Sequence, residues 1–129
     1  MALNLALDGN RYTDYCRGLS EVVEVIKSAD LVAIPFIVIA ELRAGFRGGS
    51  KSAENEQQLT KFLQGDRILI LFPDDASTHF YANIYNELRR IGRPVPTNDL
   101  WIAALVMQHD LVLFSRDRHF DRIPHIARC

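Results

Sequence analysis

The chain has 129 residues, of which 48% are hydrophobic and 24% are charged, and this is the composition of an ordinary globular domain. Lys and Arg number 15 and Asp and Glu number 16, so the formal net charge is -1. This balance excludes a polybasic nucleic-acid coat protein and a polybasic membrane-binding protein. It allows a nucleic-acid enzyme whose acidic centre offsets basic surroundings.

Strands and helices alternate along the predicted chain. The hydrophobic pattern of the N-terminal half predicts a strand over 3–7 that ends in the turn sequence Asp8-Gly9-Asn10, a helix over 20–28 capped by Ser20, a strand over 31–34, a helix over 36–44 terminated by Gly45, and a helix over 52–64. The glycine-rich stretch over 48–52 predicts a loop within one domain.

The C-terminal half continues the alternation. Its predicted elements are a strand over 67–72, an amphipathic helix over 75–91 followed by Gly92, a buried apolar helix capped by Thr97 or Asn98 and running through 107, a strand over 111–114, a helical turn over 118–121 and an extended piece near Ile126. Short apolar strands separated by helices predict an α/β fold. We expect a central, mainly parallel sheet covered by helices on both faces, in a single domain over residues 1–129.

The cysteines, the N-terminal segment and the longest apolar run predict a cytoplasmic protein without a membrane partner. Cys16 and Cys129 have no metal-type spacing and suit a reducing compartment, and the scattered histidines do not predict a zinc site. The N-terminal segment lacks the basic start of a signal peptide. The longest apolar run, over 31–40, contains Pro35 and is too short to span a bilayer.

Two acidic residues follow predicted strands. Asp8 comes immediately after the first strand, and Asp117 comes shortly after the fourth. Right-handed crossovers place the carboxyl ends of parallel strands along one edge, where ligands bind in such sheets. An ordinary structural role is open for each residue, because Asp8 lies in a strong turn sequence and Asp117 lies among basic neighbours that can pair with it.

Two further acidic residues lie in apolar helices. Glu41 interrupts a run of aliphatic residues in the helix after the second strand, and Asp99 lies in the first turn of the most apolar helix. Glu41 can simply be solvated, and Asp99 can stabilise free N–H groups and the helix dipole. Because Thr97 and Asn98 are already available as caps, Asp99 is partly redundant in that role.

Together these acids predict a site for a hard divalent cation at the edge of the sheet. Clustered carboxylates raise one another's pKa, so a fold that keeps them together needs a compensating charge. Oxygen ligands favour Mg²⁺ or Mn²⁺, and such a site activates water for phosphoryl displacement. The basic residues near these acids that are candidates for phosphate contacts are Arg43, Arg47, Arg93, Arg116 and Arg118.

Short motifs around the acids occur in order along the chain. They are Asp8-x-Asn10, Ala40-Glu41-Leu42-Arg43-x-Gly45, Pro96-x-Asn98-Asp99-x-x-Ile102-Ala103-Ala104 and Ser115-Arg116-Asp117-x-x-Phe120. Together they resemble the PIN-domain ribonucleases, most closely the VapC-type toxins of bacterial toxin–antitoxin pairs. The resemblance covers essentially the whole chain. It implies a three-layer α/β/α PIN-like fold, a Mg²⁺- or Mn²⁺-dependent endoribonuclease, a homodimer and inhibition by a VapB-type antitoxin.

The resemblance also implies roles for individual residues. The acids that match the catalytic and metal-binding positions are Asp8, Glu41, Asp99 and Asp117, with the first and third of these as the main metal ligands. The residues that match polar positions orienting those acids are Asn10, Thr97 and Ser115. Water activated by the metal would cleave RNA to leave a 5′-phosphate and a 3′-hydroxyl, and the arginines would contact RNA phosphates.

Two other functions stay open. Gly9 stands where the family commonly has Thr, which removes a hydroxyl and loosens the backbone beside a metal ligand. One alternative is therefore a catalytically weak or inactive PIN-like protein that acts as a binding partner in a DNA-binding toxin–antitoxin complex. The other is a phospho-accepting, receiver-like signalling module. That module needs a Lys near the end of a late strand, whereas the lysines here are at positions 27, 51 and 61.

Overall fold

The computed structural model describes residues 2–129. Its strands are β1 (Asn4–Leu7), β2 (Leu31–Pro35), β3 (Ile68–Leu71) and β4 (Val112–Phe114). Its helices are α1 (Gly9–Cys16), α2 (Ser20–Ser28), α3 (Phe36–Arg47), α4 (Ser52–Leu63), α5 (Asp75–Arg90) and α6 (Thr97–Gln108), and a 3-10 helix (Arg118–Arg122) follows β4.

The strands form one parallel sheet in the order β3-β2-β1-β4. The chain passes from β1 outward to β2 and β3, and then returns to place β4 on the other side of β1. The carboxyl ends of the strands therefore lie along one edge, and the strand order reverses at β1, which is where ligands bind in sheets of this kind. The sheet and its flanking helices confirm the predicted α/β/α architecture.

The core is built from strands that are apolar on both faces because helices cover the sheet. Leu5 of β1 and Val32 and Ile34 of β2 have no exposed surface. Helix α6 is buried at Leu100 and again from Ile102 to Val106, which confirms the burial predicted from its apolar sequence. Within residues 2–129, no helix is both long enough and apolar enough to cross a membrane.

Helix α1 occupies a segment in which the sequence predicted only a turn. The Asp8 side chain caps this helix by accepting a hydrogen bond from the backbone N–H of Gly9. Because the carboxylate satisfies a free N–H group, the Asp-Gly-Asn sequence begins a helix. On its buried face, Tyr12 packs edge-on against Phe62 of α4, with ring centroids 5.3 Å apart. This packing stabilises a helix that is too short to persist alone.

The predicted caps of two helices are wrong. Ser20 is the first residue of α2, and Leu19 occupies the cap position. Pro96 occupies the cap position of α6 in place of Thr97 or Asn98. Neither cap residue makes a side-chain hydrogen bond to its helix. The first turns of α2 and α6 therefore depend on packing for their stability, and the polar residues of α6 are available for other contacts.

The two predicted glycine terminators behave differently. Helix α3 continues past Gly45 to Arg47, because Phe46 packs against the core and offsets the low helix propensity of glycine. Gly92 follows the end of α5 with a φ of 68°, a left-handed conformation that favours glycine, so this predicted terminus is confirmed.

The last residues form the extended piece that the sequence predicted near Ile126. The backbone N–H of Leu113 donates to the carbonyl of Ala127 at 2.8 Å, and the N–H of Cys129 donates to the carbonyl of Leu113 at 3.1 Å. The C-terminal segment therefore runs beside β4, the strand that leads to Asp117.

An ion pair between a buried carboxylate and a half-exposed arginine joins α1 to the segment after β4. Asp14 is only 4% exposed, and its carboxylate accepts hydrogen bonds from Arg116 at 3.0 and 3.2 Å and from Arg11 at 3.3 Å. The hydrogen bonds and positive charges of Arg116 and Arg11 lower the pKa of Asp14, and this effect exceeds the opposing effect of burial.

We predict that Asp14→Asn destabilises the protein at pH 7 by about 1–2 kcal/mol, because two guanidinium groups lose their carboxylate partner. The folded pKa of Asp14 lies below its ordinary value of 3.8, so its stabilisation is complete above that value and is lost as the pH falls further. The free energy of unfolding, measured in urea, should be higher for the wild type than for Asp14→Asn at pH 7. This difference should shrink as the pH falls below 3.8. Asp66→Asn, at an exposed loop position, is the control, and a pH-independent difference for Asp14→Asn would contradict the prediction.

Candidate active site and metal centre

The structure brings the four selected acids together at the carboxyl edge of the sheet. An open pocket of about 290 Å³, here called the acidic pocket, is lined by Asp8, Gly9, Asn10, Thr13, Glu41, Leu42, Asp99 and Asp117. These residues come from the end of β1, from α1, α3 and α6, and from the segment after β4. Elements that are distant in sequence therefore supply carboxylates to one space.

Asp8 is anchored on both carboxylate oxygens. The residue is 8% exposed, and Oδ1 accepts the N–H of Gly9 at 2.8 Å while Oδ2 accepts the hydroxyl of Ser115 at 2.6 Å. Its own backbone N–H donates to the carbonyl of Phe114 at 3.1 Å. Asp8 thus links the ends of the adjacent strands β1 and β4, and its carboxylate has a defined orientation.

Ser115 and Asn10 connect Asp8 to Asp117. The Ser115 hydroxyl oxygen accepts the N–H of Asp117 at 3.1 Å and the side-chain amide of Asn10 at 3.3 Å. The Asn10 side-chain carbonyl in turn accepts the N–H of Arg116 at 3.2 Å. The two residues are therefore placed where they can orient the acids.

Asp99 lies in the first turn of α6 and contacts a histidine. The residue is 7% exposed, and its Oδ2 lies 2.9 Å from Nδ1 of His119. The same Nδ1 lies 3.2 Å from Oδ1 of Asp117, which also accepts the backbone N–H of His119 at 2.9 Å. The imidazole therefore bridges two carboxylates of the acidic pocket.

Glu41 is oriented by Asn98. The Asn98 side-chain amide donates to Glu41 Oε2 at 3.3 Å, which joins α3 to the first turn of α6. Thr97, in contrast, is exposed, and within residues 2–129 its side chain makes no hydrogen bond to any acid of the pocket. Thr97 was expected to orient an acid of the pocket, and in the structure Asn98 is the residue that does so.

The pKa values of two acids in the pocket, Glu41 and Asp99, are raised. Glu41 is an exposed residue, but partial desolvation of its carboxyl group raises its pKa. The charges of Asp8, Asp99 and Asp117 add to the rise, and the Asn98 hydrogen bond opposes it. Burial and the Asp117 charge likewise raise the pKa of Asp99, against the hydrogen bond and charge of His119. The ionised pocket is therefore electrostatically unfavourable without a compensating cation.

Three residues that sequence reasoning did not select hold the segment after β4. Asp14 pairs with Arg116, and His119 contacts Asp117. The guanidinium of Arg128 donates to the carbonyls of Ser115 at 3.0 Å and Asp117 at 3.1 Å. The proximity of His119 to Asp117 in the fourth motif was an available signal for His119. No comparable pattern marks Asp14 or Arg128, because their roles arise only from folding.

The candidate phosphate-binding arginines fall into two groups. Arg43 makes a bidentate ion pair with Glu56, with hydrogen bonds of 3.0 to 3.2 Å, and Arg116 is held by Asp14. Within the described chain, no ion pair engages the three exposed members of the set, which are Arg47, Arg93 and Arg118. Arg118 immediately follows Asp117 and is therefore the candidate nearest in sequence to the acids.

Gly9 lies in an ordinary helical conformation beside Asp8. A Cβ placed on Gly9 would lie 3.5 Å from Leu42 Cδ2, which is normal van der Waals contact, and its φ is not in the left-handed region. Its backbone N–H donates to Asp8, and its carbonyl accepts the hydroxyl of Thr13 at 3.0 Å. These hydrogen bonds hold the backbone beside Asp8 despite the absence of a side chain.

The donor set of the acidic pocket fits a divalent cation. Asp99, Asp117 and His119 each offer one ligand atom, and these atoms lie within 4.8 Å of one another. Carboxylate oxygens are the preferred ligands of Mg²⁺ and Mn²⁺. A roomier cavity of about 560 Å³ lies elsewhere, but its charged lining residues are Lys61, Asp66 and Arg67, which do not form such a set.

Comparison with known proteins points to one family. A family model of the PIN domain matches residues 17–126, a range that begins after Asp8. Ribonuclease VapC1 of Haemophilus influenzae is 31% identical over 109 residues, which cover 84% of this chain and 80% of the relative. Ribonuclease VapC2 of Rickettsia felis is 30% identical over 105 residues, which cover 81% of this chain and 77% of the relative.

A solved structure extends the likeness to the whole chain. The crystal structure of VapBC2 from Rickettsia felis, bound to a DNA fragment from their promoter, matches with a TM-score of 0.84 and 25% identity over 98% of each chain. The match therefore includes β1 and Asp8, which the family model does not cover.

We predict that Ser115→Ala lowers the free energy of unfolding by about 1–3 kcal/mol, because the nearly buried carboxylate of Asp8 loses a hydrogen-bond donor. Ser20→Ala is the matched control, since Ser20 is exposed and is not the cap of α2. That control should change the unfolding free energy by less than about 0.5 kcal/mol. Equal effects of the two substitutions in urea titrations would contradict the assigned role of Ser115.

Proposed function

Because the chain belongs to the PIN-domain family and to its VapC ribonucleases, we propose that it is a metal-dependent endoribonuclease and the toxin of a VapBC-type toxin–antitoxin pair. One observation carries the catalytic part of the proposal: Asp8, Glu41, Asp99 and Asp117 line a single open pocket at the carboxyl edge of the sheet. Such a pocket accepts a hard cation and, through it, a phosphodiester.

The four acids of the pocket would hold Mg²⁺ or Mn²⁺, with Asp8 and Asp99 as the main ligands. When bound, such an ion supplies a Lewis acid that lowers the pKa of water and neutralises charge on the phosphate. The chain itself orients the carboxylates, through the hydroxyl of Ser115 on Asp8 and the amide of Asn98 on Glu41. This preorganisation means that the acids need little rearrangement when the substrate arrives.

The proposed reaction is hydrolysis of an RNA phosphodiester. The oxygen of a water molecule forms a bond to phosphorus while the bond from phosphorus to the 3′ oxygen breaks. A proton passes to the leaving oxygen, so the products are a 3′-hydroxyl and a 5′-phosphate. The openness of the pocket suits an RNA segment that is single-stranded, since an unstacked backbone can reach a surface site.

The RNA backbone would be held by three exposed arginines that make no ion pair with any residue of the described range 2–129, namely Arg47, Arg93 and Arg118. Arg43 and Arg116 are less suited to this role, because Glu56 and Asp14 already neutralise them. Instead, Arg116 positions the segment that carries Asp117. Arg116 would therefore hold the backbone that carries Asp117, and it would not contact RNA phosphate.

We also propose a protein partner, a homodimer and a cytoplasmic location for the chain. The Rickettsia felis relative was solved as a VapBC complex, and this supports a VapB-type antitoxin as the partner of the present chain. We include a homodimer, for which the exposed apolar residues Leu69, Phe72, Tyr85 and Ile91 offer contact surface. We place the protein in the cytoplasm, with both cysteines as free thiols, and assign residues 1–129 to one nuclease domain whose core extends from Leu5 to Ile123.

A second candidate function is supported by the DNA in the Rickettsia felis structure: the chain would act mainly as a partner in a DNA-binding toxin–antitoxin complex. RNA cleavage by antitoxin-free protein in Mn²⁺, abolished by EDTA, separates the two functions. Membership of the PIN-domain family removes the support for a receiver-like signalling module.

We predict that Asp99→Asn lowers the rate of Mn²⁺-dependent RNA cleavage by at least about 100-fold, because the ion loses a charged ligand. Burial and neighbouring charge disfavour ionised Asp99, so the neutral side chain should leave the metal-free protein equally or more stable. Gel analysis of a labelled single-stranded RNA measures the first effect, and thermal unfolding measures the second.

Asp66→Asn is the matched control for this substitution, since Asp66 is exposed and does not line the acidic pocket. It should cleave at the wild-type rate. A folded Asp99→Asn protein that cleaves as fast as Asp66→Asn would overturn the proposed catalytic centre.

We predict that Arg118→Ala weakens binding of single-stranded RNA to the cleavage-deficient Asp99→Asn protein. The slope of log affinity against log salt concentration should become shallower by about 0.7, the value expected for one phosphate contact with a single strand. Arg89→Ala, at an exposed position of α5 outside the acidic pocket, should leave the slope unchanged. Fluorescence anisotropy over a salt series gives the slopes, and identical slopes for both variants would exclude the Arg118 contact.

A further inference from the structure

The imidazole of His119 stands between two carboxylates of the acidic pocket. Its Nδ1 lies 2.9 Å from Asp99 Oδ2 and 3.2 Å from Asp117 Oδ1. No motif in the sequence had selected this residue, and the set of expected metal ligands contained only oxygen atoms. Nδ1 of His119 therefore lies where it could contact a cation held by Asp99 and Asp117.

The distances from Nδ1 of His119 to the two carboxylate oxygens match the spacing of neighbouring ligands around one ion. In an octahedral site with metal–ligand distances of about 2.1 Å, adjacent ligand atoms are about 3.0 Å apart. The two separations from Nδ1, 2.9 and 3.2 Å, lie on either side of this value, and the three atoms lie within 4.8 Å of one another. A cation placed beside Nδ1 would therefore be within reach of a carboxylate oxygen of each of the two acids.

The local structure holds His119 in this position. Its backbone N–H donates to Asp117 Oδ1 at 2.9 Å, and the next residue, Phe120, is completely buried. The guanidinium of Arg128 lies over the Phe120 ring and donates to the carbonyls of Ser115 and Asp117. The His119 side chain is 40% exposed, so it is fixed at its base yet open to entering ions.

The imidazole of His119 can contact the carboxylates without a cation and can offer a lone pair to a cation, because it has two neutral tautomers. In a neutral imidazole, one nitrogen carries the proton and the other has a free lone pair. Without a cation, Nδ1 can donate its proton to Asp99. If a cation were bound, the tautomer with the proton on Nε2 would leave the lone pair of Nδ1 available for the metal.

We propose that His119 binds the divalent ion directly through Nδ1, together with Asp99 and Asp117, and that this nitrogen makes the site prefer Mn²⁺ to Mg²⁺. Imidazole suits transition metals, whereas Mg²⁺ prefers an all-oxygen shell. This inference rests on the proposed metal-dependent function and adds to it a ligand and a basis for metal selection.

The test uses MnCl₂ as the probe with the full-length chain. Electron spin-echo envelope modulation of the Mn²⁺-loaded wild type should show coupling to a ¹⁴N nucleus, and His119→Ala should lose it. Calorimetric titration should show Mn²⁺ affinity falling by about 10-fold or more in His119→Ala, and Mg²⁺ affinity falling by a smaller factor. His79→Ala, at an exposed position of α5, is the control and should match the wild type in every measurement.

His119→Gln provides a second variant, because glutamine keeps a hydrogen-bonding side chain and lacks the imidazole nitrogen. Circular dichroism confirms that each variant is folded. Loss of ¹⁴N coupling in both folded variants supports the proposal. Wild-type Mn²⁺ binding without ¹⁴N coupling, or unchanged Mn²⁺ affinity in both variants, overturns it.

Asp99→Asn separates failure of this inference from failure of the proposed function. If Asp99→Asn loses Mn²⁺ while His119→Ala binds it as tightly as the wild type, the acidic metal site stands and the role of His119 is excluded. If the wild type binds no Mn²⁺, or Asp99→Asn binds it equally well, the metal site itself is excluded and the inference falls with it.

Discussion

Carboxylates gathered in one small pocket repel one another, and much of the structure around the pocket compensates for that repulsion. Asp8 and Asp99 are 8% and 7% exposed, and low solvent access strengthens the interaction between charges. Ser115 donates a hydrogen bond to Asp8, and His119 contacts Asp99, so each of these buried carboxylates has a polar partner. The pKa values of Glu41 and Asp99 are nevertheless raised, first by desolvation of their carboxyl groups and then by the charges of the neighbouring carboxylates. A bound divalent cation would supply compensating positive charge, and this is why we propose that the pocket is a metal site.

The strand order explains how such a pocket can form. Because β1 lies between β2 and β4, the residues that follow β1 and β4 are neighbours although they are far apart in sequence. The backbone contact from Asp8 to Phe114 and the side-chain contact from Ser115 to Asp8 join the two strand ends directly. Helix α6 then places Asp99 over the same edge. Asp8 and Asp99, the most buried acids of the acidic pocket, are therefore held by the sheet and a core helix, and rigid elements of this kind preserve a site better than loops.

The arrangement of charge also gives the near-zero net charge a physical meaning. Some arginines are neutralised within the fold, as Arg43 is by Glu56 and Arg116 is by Asp14. The acidic pocket offsets others, such as the exposed Arg118. The surface is thus poorly suited to indiscriminate binding of a polyanion. A nucleic acid would instead be recognised locally, at the acidic pocket and at the exposed Arg118 that follows Asp117 in the chain.

The sequence by itself determined the four strands, every helix except α1, and the positions of Asp8 and Asp117 after strands, because hydrophobic periodicity and chain order are local properties. It also carried the motifs that resemble the family. Only the tertiary structure decided that Asp8 caps a helix, that Arg43 is occupied by an ion pair, that Thr97 remains exposed and that His119 meets Asp99. Those outcomes depend on which side chains from distant segments come within hydrogen-bonding distance, and a pattern along the chain contains no measure of that distance.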